Sequence, residues 1–248
     1  MHETHPSDRG NITAVTSPPQ LSVILPTLQE EARIEAALRQ LVATEGIDEV
    51  LVSDGGSTDA TVARAQRVEG VRVVHSHRAG RGLQLNRGAR HAQGAILLFL
   101  HVDCRLPPDA VPRIHESLAY PEIVGGAFRT HHVIDGPAPR WLRPLLPLAD
   151  VRSRYTRLPY GDQAMFVRAE IFRRVGGFSD VALMEDVDLS RRLWRHGALH
   201  IRPEAVEVSA RRYAARPLRA AVAMNAYPVL WRLGVSGERL ARWYGQPR

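Results

Sequence analysis

Short apolar runs that alternate with stretches of helical spacing constrain the fold of this chain more than any other feature. The apolar runs predict buried strands at residues 21–25, 49–53, 71–74 and 95–100. Helical spacing of apolar residues predicts helices between them, at 30–42, 60–65 and 81–92. Strands that alternate with helices of this length predict an α/β fold with a mainly parallel sheet and right-handed crossovers.

The alternation loosens after Pro107 and Pro108. Further strands are predicted at 123–130 and 164–168, and helices at 169–175 and 185–196, with a proline-rich loop or short helix at 137–147. We expect a flexible N-terminal segment at 1–20, a catalytic domain at 21–213 and a helical C-terminal extension at 214–248.

Length and cysteine content exclude several classes of protein. A chain of 248 residues suits one large α/β domain. Its one cysteine, Cys104, excludes an internal disulfide and a multi-cysteine zinc site. There is no run of about 18 apolar residues. The first 20 residues are polar and lack a signal core, so we expect a cytoplasmic protein.

Positive charge is concentrated at the C-terminal end. The chain has 33 arginines and no lysine, and residues 191–248 hold 12 of these arginines against three glutamates. The high arginine content by itself says little about nucleic acid, but the asymmetry indicates an anionic partner at this end.

Polar and acidic residues follow three of the predicted strands. Pro26 and Thr27 follow the first strand, Asp54 the second, and the segment 101–103 (HVD) the fourth. Ligands of open parallel sheets bind at the carboxyl ends of the strands, so this rim is the expected binding site.

The segment 54–59 (DGGSTD) joins a strand-end carboxylate to two glycines and a helix start. It fits a nucleotide pocket, because glycines permit close approach and the carboxylate accepts from a base or ribose. A tight turn with Ser57 and Asp59 capping the helix fits equally well. P-loop and dinucleotide motifs are absent from the first strand.

Two further acidic segments are candidates for metal binding or acid–base chemistry. Asp103 suits Mg²⁺ or Mn²⁺ on a diphosphate, or else an N-cap for the helix after Pro108. His101 is a second metal ligand unless strand alternation turns it inward. Glu185 and Asp186 open a helix, where they suit either the helix dipole or, if half-buried, a general base.

Together these segments resemble family 2 glycosyltransferases. These enzymes have the GT-A fold, use nucleotide-sugar donors and transfer the sugar with inversion of configuration at its anomeric carbon. The resemblance runs from about residue 21 to 213 and is closest to a short bacterial subgroup with an H-x-D metal motif. Its motifs occur in the family's order: 25–30 (LPTLQE), 54–59, 80–88, 101–103, 161–163 (GDQ) with 176–178 (GGF), and 185–186.

The resemblance implies roles for individual residues. The nucleotide-binding set is Pro26, Thr27, Glu30, Asp54 and Arg81, with Arg78 as a competitor of Arg81. The metal ligands are Asp103 and His101, for Mn²⁺ or Mg²⁺. Asp186 is the general base, and the acceptor or sugar site is Gly161, Asp162, Gln163 and Glu185.

The resemblance predicts transfer of a sugar from a nucleotide-diphosphate donor to an acceptor hydroxyl. Gln29 stands where the family has Asn, and Gly55 and His101 each replace an acid. UDP is the expected nucleotide, and because the Gly55 replacement bears on the contact with the nucleobase, GDP or another donor stays open. The alternatives are a sugar-phosphate nucleotidyltransferase and an arginine-rich nucleic-acid binder, and we expect no nucleic-acid partner.

The C-terminal stretch joins arginines to an apolar segment, 220–233. An interfacial helix on an anionic membrane fits this composition, and would place the protein on the inner face of the cell membrane with a lipid-linked acceptor. A helix packed on the catalytic domain fits as well. A third interpretation directs Arg211 or Arg212 at the donor diphosphate.

Overall fold

A mixed eight-stranded sheet organises the structure, which is a computed structural model describing residues 20–76, 78–136, 138–211, 214 and 217–245. The strands are β1 (Leu21–Thr27), β2 (Glu49–Asp54), β3 (Val71–His75), β4 (Ile96–Phe99), β5 (Cys104–Arg105), β6 (Ile123–Val133), β7 (Met165–Arg168) and β8 (Ala198–Ser209). Their order is β3-β2-β1-β4-β7-β6-β8-β5. The four strands from β3 to β4 are parallel, and β7 runs antiparallel to β4 and β6.

Helices cover both faces of the sheet. They are α1 (Ile34–Val42), α2 (Thr61–Gln66), α3 (Arg81–His91), α4 (Ala110–Leu118), α5 (Leu146–Tyr155), α6 (Ala169–Arg174), α7 (Glu185–Leu193), α8 (Pro217–Arg232) and α9 (Gly237–Tyr244). Two 3₁₀ helices span Arg140–Leu145 and Gly161–Gln163. The predicted α/β class and mainly parallel sheet are confirmed.

The central strands are buried on both sides, as their continuous apolar sequence predicts. Val23 of β1 belongs to a core with Leu38 of α1 and Ile114 of α4. Ile24 faces the opposite way, into a second core that includes Leu85 and Leu189. The sheet therefore holds the strand ends, and the residues that follow them, in fixed positions.

Two local predictions were wrong. Residues 30–33 lie outside α1, which begins at Ile34. The N-cap of α2 is Ala60, and the Ser57 hydroxyl instead accepts a hydrogen bond from the Gln29 amide at 3.0 Å. Asp59 Oδ1 accepts a hydrogen bond from the Thr61 amide at 3.0 Å. The loop after β2 thus uses its polar side chains to hold the loop after β1.

Strand β8 was not predicted. Between Phe128 and Arg129 of β6 the paired residue jumps from Arg202 to Ala205, so Pro203 and Glu204 bulge out of the ladder. A bulge interrupts the alternation of inward and outward side chains from which a strand is recognised.

The C-terminal helices pack on the preceding part of the chain through one face. Tyr227 of α8 and Leu240 of α9 lie in one apolar cluster with Tyr160, Met184 and Val187. The structure therefore agrees with the alternative in which the C-terminal helix packs against the rest of the protein. Among the residues that the structure describes, no helix has the length and apolar character needed to cross a membrane. The proposed segment 1–20 lies, except for Gln20, outside the described residues.

Candidate active site

Asp54 ends β2 with its side chain buried at the rim of the sheet. Its Oδ2 accepts from the amides of Gly56 and Ser57, at 2.9 and 3.0 Å. Its Oδ1 is buried with no hydrogen-bond partner among the described residues, and the hydroxyl of Thr27 on the adjacent strand is in the same state. Buried polar atoms are nearly always paired, so these unpaired atoms at neighbouring strand ends make this rim a candidate site for a polar ligand.

Gln84 explains why glycine occupies position 55. Its Nε2 donates to the carbonyls of Thr27 and Ser53, at 2.7 and 3.0 Å. A Cβ on Gly55 would lie 2.8 Å from that same Nε2. The amide that joins the ends of β1 and β2 therefore takes the space that an acidic side chain would need. Sequence reasoning did not single out Gln84.

Gln29 joins the two loops that follow β1 and β2. Its Oε1 accepts from the amide of Thr58 at 2.8 Å, and its Nε2 donates to the Thr58 hydroxyl at 2.9 Å. Its φ of 56° lies in the left-handed region. Ala164 and Met184 also have positive φ, and they flank the 161–163 segment and the start of α7. These three non-glycine residues thus concentrate backbone strain around the predicted site.

Asp103 and Glu30 meet at one arginine. Arg211 donates from Nη2 to Glu30 at 2.6 Å, and its Nε lies 3.3 Å from Asp103 Oδ2. Asp103 also holds the end of β8, because its carbonyl accepts from the Ser209 amide at 2.9 Å. The predicted nucleotide ligand and metal ligand are therefore brought together, and Arg211 supplies the positive charge between them. Arg212, the other arginine considered, lies outside the described residues.

His101 and Asp186 converge on Gly161. A Cβ on Gly161 would lie 3.2 Å from His101 Nε2 and 3.2 Å from Asp186 Oδ2. The Gly161 amide donates to Asp186 Oδ2 at 2.7 Å. All three residues line one narrow cleft of about 10 Å³ together with Pro26. The His101 side chain thus faces the cleft, and the structure places it beside Asp186.

Arg81 is held by the two acids at the start of α7. It forms an ion pair with Glu185, and its Nη2 lies 4.0 Å from Asp186 Oδ2. Burial raises the pKa of Glu185, and the Arg81 charge opposes that change. Burial alone would lower the pKa of Arg81, but the two carboxylates raise it above its ordinary value. Arg81 is therefore a fixed cation of the cleft.

The other predicted acceptor-side residues have mainly structural partners. Asp162 pairs with Arg152 at 2.9 Å. Gln163 is fully buried, donating to the Phe128 carbonyl at 2.9 Å and accepting from the Tyr160 amide at 3.0 Å. Gln163 thus shapes the 161–163 turn that presents the Gly161 amide to Asp186.

Helix α3 contacts the segment at 178–179, which precedes α7. Asn86 accepts from the Phe178 amide at 2.8 Å and donates to its carbonyl at 2.7 Å. Gly82 permits this contact, because a Cβ there would lie 2.9 Å from the Ser179 carbonyl. Arg78, the competitor of Arg81, is instead exposed in an ion pair with Asp180.

The donor set around Asp103 suits a hard divalent ion. No group of three or more His, Cys, Asp or Glu side chains arranged to hold a metal occurs in the described part of the chain. Mg²⁺ is usually held by one or two carboxylates together with substrate phosphates, and carboxylate oxygen also suits Mn²⁺. The pairing of Asp103 and Glu30 with one arginine shows that this pocket already accommodates positive charge.

Comparison with known proteins defines the class of this fold. The structure superimposes on a mannosyltransferase from Pyrobaculum calidifontis, solved with GDP-Man and Mn²⁺, with a TM-score of 0.67 and 22% identity over 92% of this chain and 70% of that one. It also matches glucosyl-3-phosphoglycerate synthase of Mycobacterium tuberculosis, solved with Mn²⁺, UDP and glucosyl-3-phosphoglycerate. That match has a TM-score of 0.59 and 24% identity, covering 93% and 81% of the two chains. The fold is that of GT-A glycosyltransferases.

Sequence comparison gives the family. The model of glycosyl transferase family 2 matches residues 22–176, and the chain therefore belongs to that family. It is a glycosyltransferase, which removes the nucleotidyltransferase and nucleic-acid alternatives.

The curated relatives match over part of their length. The M. tuberculosis synthase is 36% identical over 104 residues, which are 38% of this chain and 32% of the synthase. The undecaprenyl-phosphate 4-deoxy-4-formamido-L-arabinose transferase of Pseudomonas syringae is 28% identical over 159 residues, which are 60% and 46% of the two proteins. The chain thus spans about a third to a half of these relatives.

Proposed function

We propose that this glycosyltransferase moves a sugar from a UDP-sugar to an acceptor hydroxyl, with inversion at the anomeric carbon. The observation that supports this most is the convergence of His101 and Asp186 on Gly161, in a cleft that also contains Pro26 from the end of β1. A strand end of the nucleotide half and the proposed base thus border the same space.

The nucleotide lies at the ends of β1 and β2. Asp54 Oδ1 and the Thr27 hydroxyl are buried there without a hydrogen-bond partner among the described residues, as is the Ser53 hydroxyl. A carboxylate oxygen is an acceptor and a hydroxyl is both donor and acceptor, so the pair suits the imide edge of uracil. Pro26 lines the cleft beside them. GDP-Man in the Pyrobaculum relative leaves guanine as the competing base.

The diphosphate lies near Asp103, Glu30 and Arg211. Asp103, with His101 as the second candidate, would hold Mn²⁺ or Mg²⁺, as Mn²⁺ is present in the complexes of both structural relatives. When bound, the ion neutralises negative charge on the leaving diphosphate. Arg211 is within reach of the same carboxylates and supplies a further positive charge at this point.

Asp186 accepts the proton of the acceptor hydroxyl as that oxygen bonds to the anomeric carbon. The bond from that carbon to the diphosphate breaks, and UDP leaves with the electron pair. The Gly161 amide fixes Asp186 Oδ2, and the Val187 amide donates to Oδ1 at 2.8 Å. A positioned general base contributes about 10²–10⁴-fold to the rate. The leaving UDP needs no second carboxylate to protonate it, unlike the leaving group of a glycoside hydrolase.

The acceptor is a hydroxyl compound on the side of residues 161–163 and α7. Glu185 and Asp162 shape this side through their arginine partners. The undecaprenyl-phosphate relative suggests a lipid-linked acceptor, with peripheral membrane contact through α8 on the inner face of the cell membrane.

A panel of nucleotide sugars, scored by released nucleotide, tests the proposal. Because Asp54 and Thr27 favour uracil, we expect UDP-sugars to release nucleotide above the hydrolysis background once acceptor is supplied, and ADP- and CMP-sugars to stay at background. Acceptor-dependent release of nucleotide from GDP-sugars alone would show that the site takes guanine and not uracil. Release from none of the donors, with extracts of the source cells as acceptor, would contradict the proposal.

A further inference from the structure

A cationic groove that none of the roles above uses lies beside Asp186. It has a volume of about 630 Å³ and is open to solvent between α5, the end of α7 and α8. Six of the lining side chains determine its chemistry: Arg152, Tyr155, Arg157, Tyr160, Trp194 and Arg232.

The groove shares a wall with the active-site cleft. Tyr160 lines the groove, while the next residue, Gly161, lines the cleft and donates to Asp186. Burial raises the pKa of Tyr160 above its ordinary value. Asp186 adds to this increase, while Arg152 and Arg232 oppose it. The geometry agrees, since Arg152 stacks 3.7 Å from the centre of the Tyr160 ring and the next residue, Gly161, donates to Asp186 at 2.7 Å. The Tyr160 wall of the groove is therefore next to the residue that binds Asp186.

Two of the three arginines that line the groove have no acidic partner among the described residues. Arg152 pairs with Asp162 at 2.9 Å and stacks 3.7 Å above the Tyr160 ring, yet its buried Nε has no partner. Arg157 and Arg232 are exposed and form no ion pair within the described residues. Guanidinium groups recognise phosphate through paired hydrogen bonds, so three of them around one groove favour a phosphate ester.

Apolar groups border the same groove. Tyr155 is 82% exposed and Trp194 is 54% exposed. Val229 of α8 and Leu233, which directly follows this helix, are exposed and come four and eight residues after Asn225, a lining residue. Residues at this spacing share one helix face. The opposite face of α8 is the one buried against the domain through Tyr227.

We propose that this groove binds the phosphate of the acceptor, which is an alcohol carrying a phosphate ester, with its hydroxyl directed at Asp186. This assignment rests on the proposed function, since it names the substrate class of the same site. A phosphorylated small molecule and a phospholipid head group share this chemistry, and the exposed faces of α5 and α8 provide a surface for an acyl chain in the second case.

The test compares two double variants of equal charge. Arg157→Gln with Arg232→Gln removes the two groove arginines that have no acidic partner, and Arg173→Gln with Arg174→Gln removes two exposed arginines of α6 as the matched control. One arm measures binding of inorganic phosphate by calorimetry. The other measures flotation with phosphatidylcholine vesicles that contain phosphatidic acid, against phosphatidylcholine alone.

We expect the groove variant to bind inorganic phosphate at least about tenfold more weakly than the control variant, a change of about 1.4 kcal/mol. Loss of vesicle flotation in the groove variant alone would assign the phosphate to a lipid, and unchanged flotation would assign it to a soluble acceptor. Equal effects of both variants, or of neither, on phosphate binding would overturn the proposal. UDP affinity, measured in parallel, should be the same in both variants, and its absence from the wild-type protein would instead contradict the proposed function.

Discussion

Asp186→Asn is expected to lower the rate of sugar transfer by about 10²–10⁴-fold while UDP affinity stays unchanged. Asparagine has nearly the same shape, and its amide oxygen is able to accept from the Gly161 amide as Asp186 Oδ2 does at 2.7 Å. It is unable to take the proton of the acceptor hydroxyl at neutral pH. The change therefore removes the base and leaves the cleft in place. Single-turnover transfer and UDP calorimetry on the same preparation measure the two effects.

Asp109→Asn provides the matched control for this prediction. Asp109 precedes α4 and pairs with Arg113 on the surface, so the same chemical change there should leave transfer near the wild-type rate. Full turnover by the Asp186→Asn variant would remove Asp186 from the mechanism. Loss of UDP binding together with transfer would instead make Asp186 part of the donor site.

Arg81→Met is expected to reduce the free energy of unfolding by about 2–3 kcal/mol. Glu185 is 2% exposed, so losing its arginine leaves a buried carboxylate without its ion-pair partner. Breaking a buried pair from one side costs about 3–5 kcal/mol, and the expected value is smaller because a third of Arg81 is exposed to water. Urea unfolding at pH 7 measures it.

The loss should depend on pH in a direction that the pKa of Glu185 sets. Burial raises this pKa, and removal of Arg81 removes the charge that opposes the change. Glu185 in the folded variant then keeps its proton to higher pH than in the unfolded chain. Stability therefore falls as pH rises above about 4.3, the ordinary value for Glu, toward the raised folded value.

The double variant Arg81→Met with Glu185→Gln is the control for this prediction. It has no buried charge to leave unpaired, so it should recover most of the lost stability and show no fall over that pH range. A single variant as stable as the wild type at pH 7 would show that the pair contributes little to the fold.

The N-terminal, parallel part of the sheet was predictable because its sequence signals are local. Each apolar run forms one buried parallel strand, and each is followed by the residue that reaches the rim, as with Thr27 and Asp54. Periodicity and the strand-end rule therefore predict the position of both residues at the rim of the sheet.

The contacts that assemble the rest of the candidate site join distant segments of the chain, and periodicity does not contain them. Gln84 lies 57 residues from Thr27 and joins two strand ends, and Asn86 lies 92 residues from Phe178. Pairing of Arg81 with Glu185 was equally invisible, although both residues were singled out for other roles. The cationic groove is assembled from three elements, and the sequence gives only its excess of arginine.

The measurement that tests the central claim most directly is UDP affinity with and without Mn²⁺, in the wild-type protein and in Asp103→Asn. Because Asp103 is proposed to hold the ion against the diphosphate, Mn²⁺ should strengthen UDP binding by at least about tenfold in the wild type, or about 1.4 kcal/mol. The variant should bind UDP with the same weak affinity in both conditions. Equal UDP affinity of the wild-type protein with and without Mn²⁺ would contradict the account.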